Sequence, residues 1–135
     1  MRFMMMMIPK VYQSAKVDPN FVPDAKAVEA MTRYNESLQK AGILLTLDGL
    51  APPSAGSRVT FKGGKPSVID GPFAEAKELI GGYWIIQVKS KEEAVEWARR
   101  CPATEGDIIE VRQIHELTDF PPEVQKAAGG KRLGA

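Results

Sequence analysis

Cysteine and histidine occur once each in the 135 residues, as Cys101 and His115. A lone cysteine excludes an internal disulfide and gives no sign of an oxidising compartment. One cysteine and one histidine also fall short of the closely spaced ligands of a zinc site, so no metal is expected. An excess of charge is missing too. Lys and Arg number 18 against 17 Asp and Glu, a formal net charge of +1, with the signs interspersed. With no basic stripe to neutralise phosphates, nucleic-acid binding is not expected. Long hydrophobic runs are also lacking. The most apolar stretch, MRFMMMMIPK at the N-terminus, is too short for a signal-peptide core with its cleavage site and much too short to cross a bilayer. No membrane association is expected, and the expected location is the cytoplasm. No P-loop, dinucleotide fingerprint or nucleophile–base pair occurs, so no cofactor is expected.

What remains is the pattern of one small domain, long enough to bury roughly two-thirds of its unfolded surface. Phe3 to Ile8 is apolar at every position. Met4, Met6 and Ile8 share one face of a strand and Phe3, Met5 and Met7 the other, which predicts a central strand covered on both sides. The same alternation keeps the methionines from converging on one soft metal ion, so they read as core. Lys10 to Pro23 reads as a loop and a candidate lid. Asp24 is placed to cap a helix whose stripe is Val28, Met31, Tyr34 and Leu38, ended by Gly42. Ile43 to Leu50 reads as a strand. Arg58–Lys62 and Lys65–Ile69 flank Gly63-Gly64 as a hairpin, with Pro66 marking an edge. Asp70-Gly71-Pro72-Phe73 is a turn leading to a short helical piece from Ala74 to Leu79. Tyr83 to Lys89 is a strand. Ser90 and Glu93 form a capping box for a helix buried along Ala94, Trp97, Ala98 and Cys101. Ile108 to Leu117 is the last strand. Pro121-Pro122 closes a domain of residues 1–120, leaving 121–135 as a flexible tail.

The order is β-α-β, hairpin, β-α-β, which is an α+β fold. Two amphipathic helices cover only one face of a four-stranded sheet, so the other face needs a partner. That face mixes apolar and polar residues, and a symmetric homodimer with sheet facing sheet around a cavity is expected.

The segment DGPFAEAKELIGGYWIIQVKSKEEAVEWARRCP closely resembles the signature of the DGPF, or YCII-related, family. The likeness extends weakly over residues 1–118. It implies a ferredoxin-like four-stranded antiparallel sheet with two helices on one face, pairing as a dimeric α+β barrel. It also implies a protein without an assigned reaction, and it suggests association with an extracytoplasmic-function sigma factor. Founding members carry a His–Asp pair; here the acidic half corresponds to Asp70, and His115 is not carried over.

On this basis Asp70 is the candidate general base, against a structural reading in which it accepts N–H bonds from Phe73 and Ala74. Phe73, Glu75, Tyr83 and Arg112 are the candidate ligand contacts. Arg112 has the fork that holds a carboxylate, yet it can equally pair with Glu110 on its own face. Glu75 and Glu78 can line a pocket mouth or a solvated helix, and Lys77 fits the solvated helix. Tyr34, Tyr83 and Trp84 can floor a pocket or simply pack. His115 reads as a partly exposed structural residue and Cys101 as an inert core thiol. The expected function is small-molecule binding or cofactor-independent proton transfer of the isomerase or lyase kind. The alternative is a non-enzymatic regulatory module.

Overall fold

The computed structural model describes residues 1–13, 20, 22–73 and 78–129. Strands β1 (Arg2–Ile8), β2 (Leu44–Gly49), β5 (Gly82–Gln87) and β6 (Ile108–Gln113) form a four-stranded sheet in the order β2-β5-β1-β6. Every described pairing in it is antiparallel. Helices α1 (Ala25–Lys40) and α2 (Lys91–Arg99) make the two crossovers, and β3 (Ser57–Lys62) with β4 (Lys65–Asp70) is a separate two-stranded hairpin. This is the expected ferredoxin-like α+β arrangement, with the hairpin inserted between β2 and β5. β1 is central as expected, between β5 and β6, with Met5 paired to both Trp84 and Val111; the cover expected on both faces is found on the helix side only, Met4 and Met6 on the other face being half-buried.

The core forms where the helices cover the sheet. Phe3 and Met5 of β1, Trp84 and Ile86 of β5, Tyr34 and Leu38 of α1 and Ala94 of α2 pack there with Val88. The opposite face carries Met4 and Met6, Tyr83 and Ile85, and Glu110 and Arg112, set in register across the strands. None of these six side chains is fully buried. The helix-covered face is therefore sealed within one chain, and the other is not.

Both helix ends follow local chemistry. Gly42, at φ +73°, ends α1, and the Ile43 N–H reaches back to the Leu38 carbonyl at 3.3 Å. That is the left-handed glycine stop its position predicts. Asp24 sits at the N-cap in extended conformation but makes no side-chain cap bond. Ser90 Oγ accepts the Glu93 N–H at 3.2 Å, as the capping box requires, while Glu93 Oε2 takes the Lys89 N–H rather than that of Ser90. The hairpin turn has its two glycines at φ +61° and +77°, the two positive angles that a tight turn between twisted strands demands.

Four expectations differ in detail. The last strand stops at Gln113 rather than Leu117, because the chain turns there into a short 3-10 segment, Leu117–Asp119. Pro122 starts a helix, α3 (Pro122–Ala127), where a tail was expected; proline is well suited to a first helical turn, whose N–H has no partner anyway. Residues 130–135 lie outside the described residues, as do 74–77, so the short helix expected there is not described beyond the non-helical Glu78 and Leu79. The loop expected over 10–23 begins with a turn of 3-10 helix, Lys10–Gln13, and 14–19 and 21 are likewise outside the described residues.

Leu38 is fully enclosed. Replacing it with alanine is expected to cost about 2–5 kcal/mol, since the sheet and two helices cannot all move in to fill the void. Urea unfolding should show a lower midpoint with an unchanged slope. A midpoint within error of the parent would show that α1 does not bind the sheet through this residue.

Candidate functional site

The signature DGPF closes the base of the hairpin. Ser57 Oγ donates to Asp70 Oδ1 at 2.7 Å, and the Gly71 N–H donates to the Gly56 carbonyl at 2.8 Å. Gly71 is glycine for a steric reason: a Cβ there would collide with the Pro53 carbonyl oxygen. The Arg58 guanidinium lies 4.1 Å from the centre of the Phe73 ring, a cation–π contact. Asp70 is exposed and its described bond is to a side chain, so the expected N–H capping by Phe73 is not the contact it makes.

A cavity of about 200 Å³ lies elsewhere, between α1 and the end of the main sheet. Met7, Leu47 and Trp84 supply its walls from the sheet, and Met31 and Asn35 from α1. Asp48, Tyr83 and the backbone of Gly81 and Gly82 border it at the strand ends. The Trp84 indole N–H donates to Asn35 Oδ1 at 2.7 Å. Indole is a donor only, so this bond fixes which end of the amide is oxygen. The Asn35 Nδ2 group is thereby turned away as a donor, and it has no partner among the described residues. The cavity thus joins apolar walls to an asparagine whose amide is held in one orientation.

At its border the Tyr83 hydroxyl donates to Asp48 Oδ2 at 3.0 Å. The two residues face each other across β2 and β5. The carboxylate holds the phenol proton, by its hydrogen bond first and its negative charge second, so the Tyr83 pKa lies above the ordinary phenol value.

The expected site residues do not meet. Asp70 and Phe73 are at the hairpin base. Tyr83 is on the main sheet beside the cavity. Arg112 is on β6, on the same open face as Tyr83 but two strands away, about 10 Å by strand spacing. Arg112 Nη1 lies 4.0 Å from Glu110 Oε2. Glu75 and Lys77 lie outside the described residues, and Glu78 is exposed. Of the aromatics, Trp84 lines the cavity while Tyr34 is buried in the core. His115 is exposed, stacked obliquely on Phe120 with centroids 4.9 Å apart. The Cys101 thiol is pushed up to about 11, by burial first and then by the charge of Asp107, which leaves it poorly nucleophilic. Among the described residues no group of three or more His, Cys, Asp or Glu is placed to hold a metal ion. No described helix is long and apolar enough to cross a membrane.

Asn35 and Asp48 were not singled out from the sequence. Asn35 had a signal, since it stands four residues after Met31 on the inward side of α1, a polar residue on an apolar stripe. Asp48 had none. A bulge between Leu44 and Thr46 shifts the register of β2, and only that shift sets Asp48 opposite Tyr83.

Two comparisons bear on this chain. The family model for the YCII-related domain matches residues 1–118. A curated protein of Rhizobium meliloti (strain 1021), described only as uncharacterized, is 32% identical over 76 residues. The matched stretch is 56% of this chain and 61% of that protein, less than two thirds of the relative's length.

Replacing Asp48 with asparagine removes the charge that holds the Tyr83 proton. In the parent, Tyr83 should ionise above the ordinary phenol range; in Asp48→Asn its ionisation should move to lower pH. Ultraviolet titration of the tyrosinate band, with Tyr83→Phe as the subtraction standard, reads this. An unmoved transition would mean that the two side chains do not pair in solution.

Proposed function

The chain belongs to the YCII-related family, and on that premise we propose that it is a small-molecule-binding domain whose ligand occupies the cavity between α1 and the sheet. The observation that carries this reading is the Asn35 amide, oriented by the Trp84 indole so that its free N–H points away from its only described partner. A polar side chain held in one orientation beside Met7, Met31 and Leu47 has no role in apolar packing. It does suit an acceptor oxygen on a ligand.

The cavity selects by size. At about 200 Å³ it equals roughly seven waters at about 30 Å³ each. The fitting ligand is a small, mostly apolar ring or short chain bearing one carbonyl or equivalent acceptor. Asp48 is the carboxylate at the cavity's border. It gives this reading its reaction class: proton transfer without a cofactor, with Asp48 as the proton acceptor and the Tyr83 hydroxyl steadying it. The uncovered sheet face of Met4, Met6 and Ile85 is the surface this reading gives to a second copy.

The test is a nuclear magnetic resonance screen of small ring compounds bearing one carbonyl, read on the Trp84 indole N–H. Hits should shift that resonance. Asn35→Leu should weaken them about tenfold, the value of one hydrogen bond, and Asp70→Asn should leave them unchanged. Hits that move no Trp84 signal, or that depend on Asp70 instead, would end this assignment of the site.

A further inference from the structure

One wall of the cavity is built differently from the rest. Met7, Leu47 and Trp84 lie in paired strands, and Met31 and Asn35 lie in α1. Pro9 lies in neither. It is the first residue after β1 and leads directly into the turn of 3-10 helix at Lys10–Gln13. Having no N–H, it cannot donate to the ladder. The Tyr12 N–H closes the turn onto the Pro9 carbonyl at 2.9 Å. A single 3-10 turn has little hold of its own, so its position depends on what it is fastened to.

The turn rests on Gly81. A Cβ at that position would stand 2.7 Å from Pro9 Cγ and 3.1 Å from Tyr12 Cε2, inside the roughly 3.5–4.0 Å at which carbon atoms pack. The φ of Gly81 is not positive, so its backbone does not itself call for glycine. The close seat of Pro9 and Tyr12 does.

The fastening comes from the loop before β6. The Lys10 N–H donates to Asp107 Oδ1 at 2.8 Å, across 97 residues of sequence. Gln13 Nε2 donates to the Gly106 carbonyl at 2.7 Å and to the Ile8 carbonyl at 3.2 Å. A Cβ at Gly106 would meet Lys10 Cδ at 2.7 Å, so this loop lies directly against the Lys10 stem. Asp107 is itself held in place, since its Oδ2 accepts the Thr104 N–H and the Thr104 hydroxyl, both at 2.9 Å. Partial burial works to raise the Asp107 pKa, but the bonds from Lys10 and Thr104 outweigh it and keep the carboxyl below its ordinary value. The fastening group is therefore an anion. Its bond to Lys10 is at the surface, where water competes for both partners, so it can part while the core stays closed.

We propose that Asp107 is a latch on the cavity: by holding the Lys10 N–H it keeps Pro9 and Tyr12 seated on Gly81, and when that bond parts the turn lifts and a ligand can enter. The moving part is Pro9–Gln13. Asp107 touches no ligand and is a positioning residue, acting through the turn. This rests on the reading of the cavity as a ligand site.

The test uses acrylamide, a small neutral molecule with one carbonyl, to quench Trp84 fluorescence in the full chain. Trp97→Phe removes the second of the two tryptophans in every sample. Trp84 lines the cavity and is 5% exposed, so its quenching reads entry. Quenching should be weak with the latch intact. Asp107→Ala should raise the collisional quenching constant about fivefold, the weight of one hydrogen bond in the opening equilibrium. Asp107→Asn keeps an acceptor for the Lys10 N–H and should fall between. Gly81→Ala wedges Pro9 and Tyr12 away with Asp107 in place, and should also raise the constant. In all three the amides of Met5 and Ile86, in the core of the sheet, should exchange as slowly as before. An unmoved constant in Asp107→Ala or in Gly81→Ala overturns the proposal. So does a rise accompanied by fast exchange at Met5 and Ile86, which would be general loosening. An unmoved constant ends the latch and leaves the ligand reading standing; ring compounds that never shift the Trp84 resonance end the ligand reading and leave the quenching result standing.

Discussion

The Trp84 side chain joins the layers of this protein. Its indole N–H is held by Asn35 of α1 at 2.7 Å, and its ring meets Tyr34, also of α1, edge-on at 5.8 Å between centroids. The Tyr34 hydroxyl in turn donates to the Trp97 carbonyl of α2 at 2.7 Å. Sheet, first helix and second helix are thus linked through one indole and one phenol. The edge-on pair adds about 0.5–1.5 kcal/mol beyond the area it buries, and each hydrogen bond about 1 kcal/mol. Burial holds the Tyr34 proton well above the ordinary phenol range, so this link carries no charge at any physiological pH. The same indole shapes the cavity, because the bond that anchors α1 also decides which way the Asn35 amide points. The packing of the layers and the polar side of the cavity rest on one contact.

Much of the fold was legible because its signals are local or two-sided. The six apolar residues from Phe3 to Ile8 mark a central strand, although only one of its two faces is covered within the chain. Gly42, Ser90 and the Gly63-Gly64 pair each solve a backbone problem at one position, and each does so where expected. The signature residues were legible as a motif, but not in their role. Asp70, Gly71 and Phe73 close the base of the hairpin onto Gly56, Ser57 and Arg58, contacts across more than a dozen residues that no spacing rule reveals. The cavity was less legible still. Trp84 was weighed as a pocket floor, but its partner Asn35 is visible only as an odd polar residue on a stripe. Asp48 depends on a bulge, which changes the facing of every later residue in β2 without leaving a mark in the sequence.

The distribution of polar residues separates three surfaces. The helix-covered face contains the core and, at its end, the cavity. The open face alternates Met4, Met6 and Ile85 with Glu110, Arg112 and Asp48, too apolar for a face designed only for water and too charged for a closed core. The hairpin is the third. Phe61 is 78% exposed and Val68 68%, side by side with Val59 and Pro66 on one face. A two-stranded ribbon has little stability of its own in water. The contacts at its base, between Ser57 and Asp70 and between Arg58 and Phe73, close the ribbon on itself.

The central position of β1 also has a consequence in time. Phe3 pairs with Gln113 and Ile8 with Ile108, so the first strand completes its ladder only after about 100 further residues have been joined to the chain. At roughly 5–20 residues per second on the ribosome, that is an interval of about 5–20 s in which a strand apolar on both faces waits for one of its two neighbours. This strongly apolar strand is made well before the partner that completes its ladder. Its four consecutive methionines, supple and without branching at Cβ, are less prone to lock into a premature sheet than the same run of valine or isoleucine.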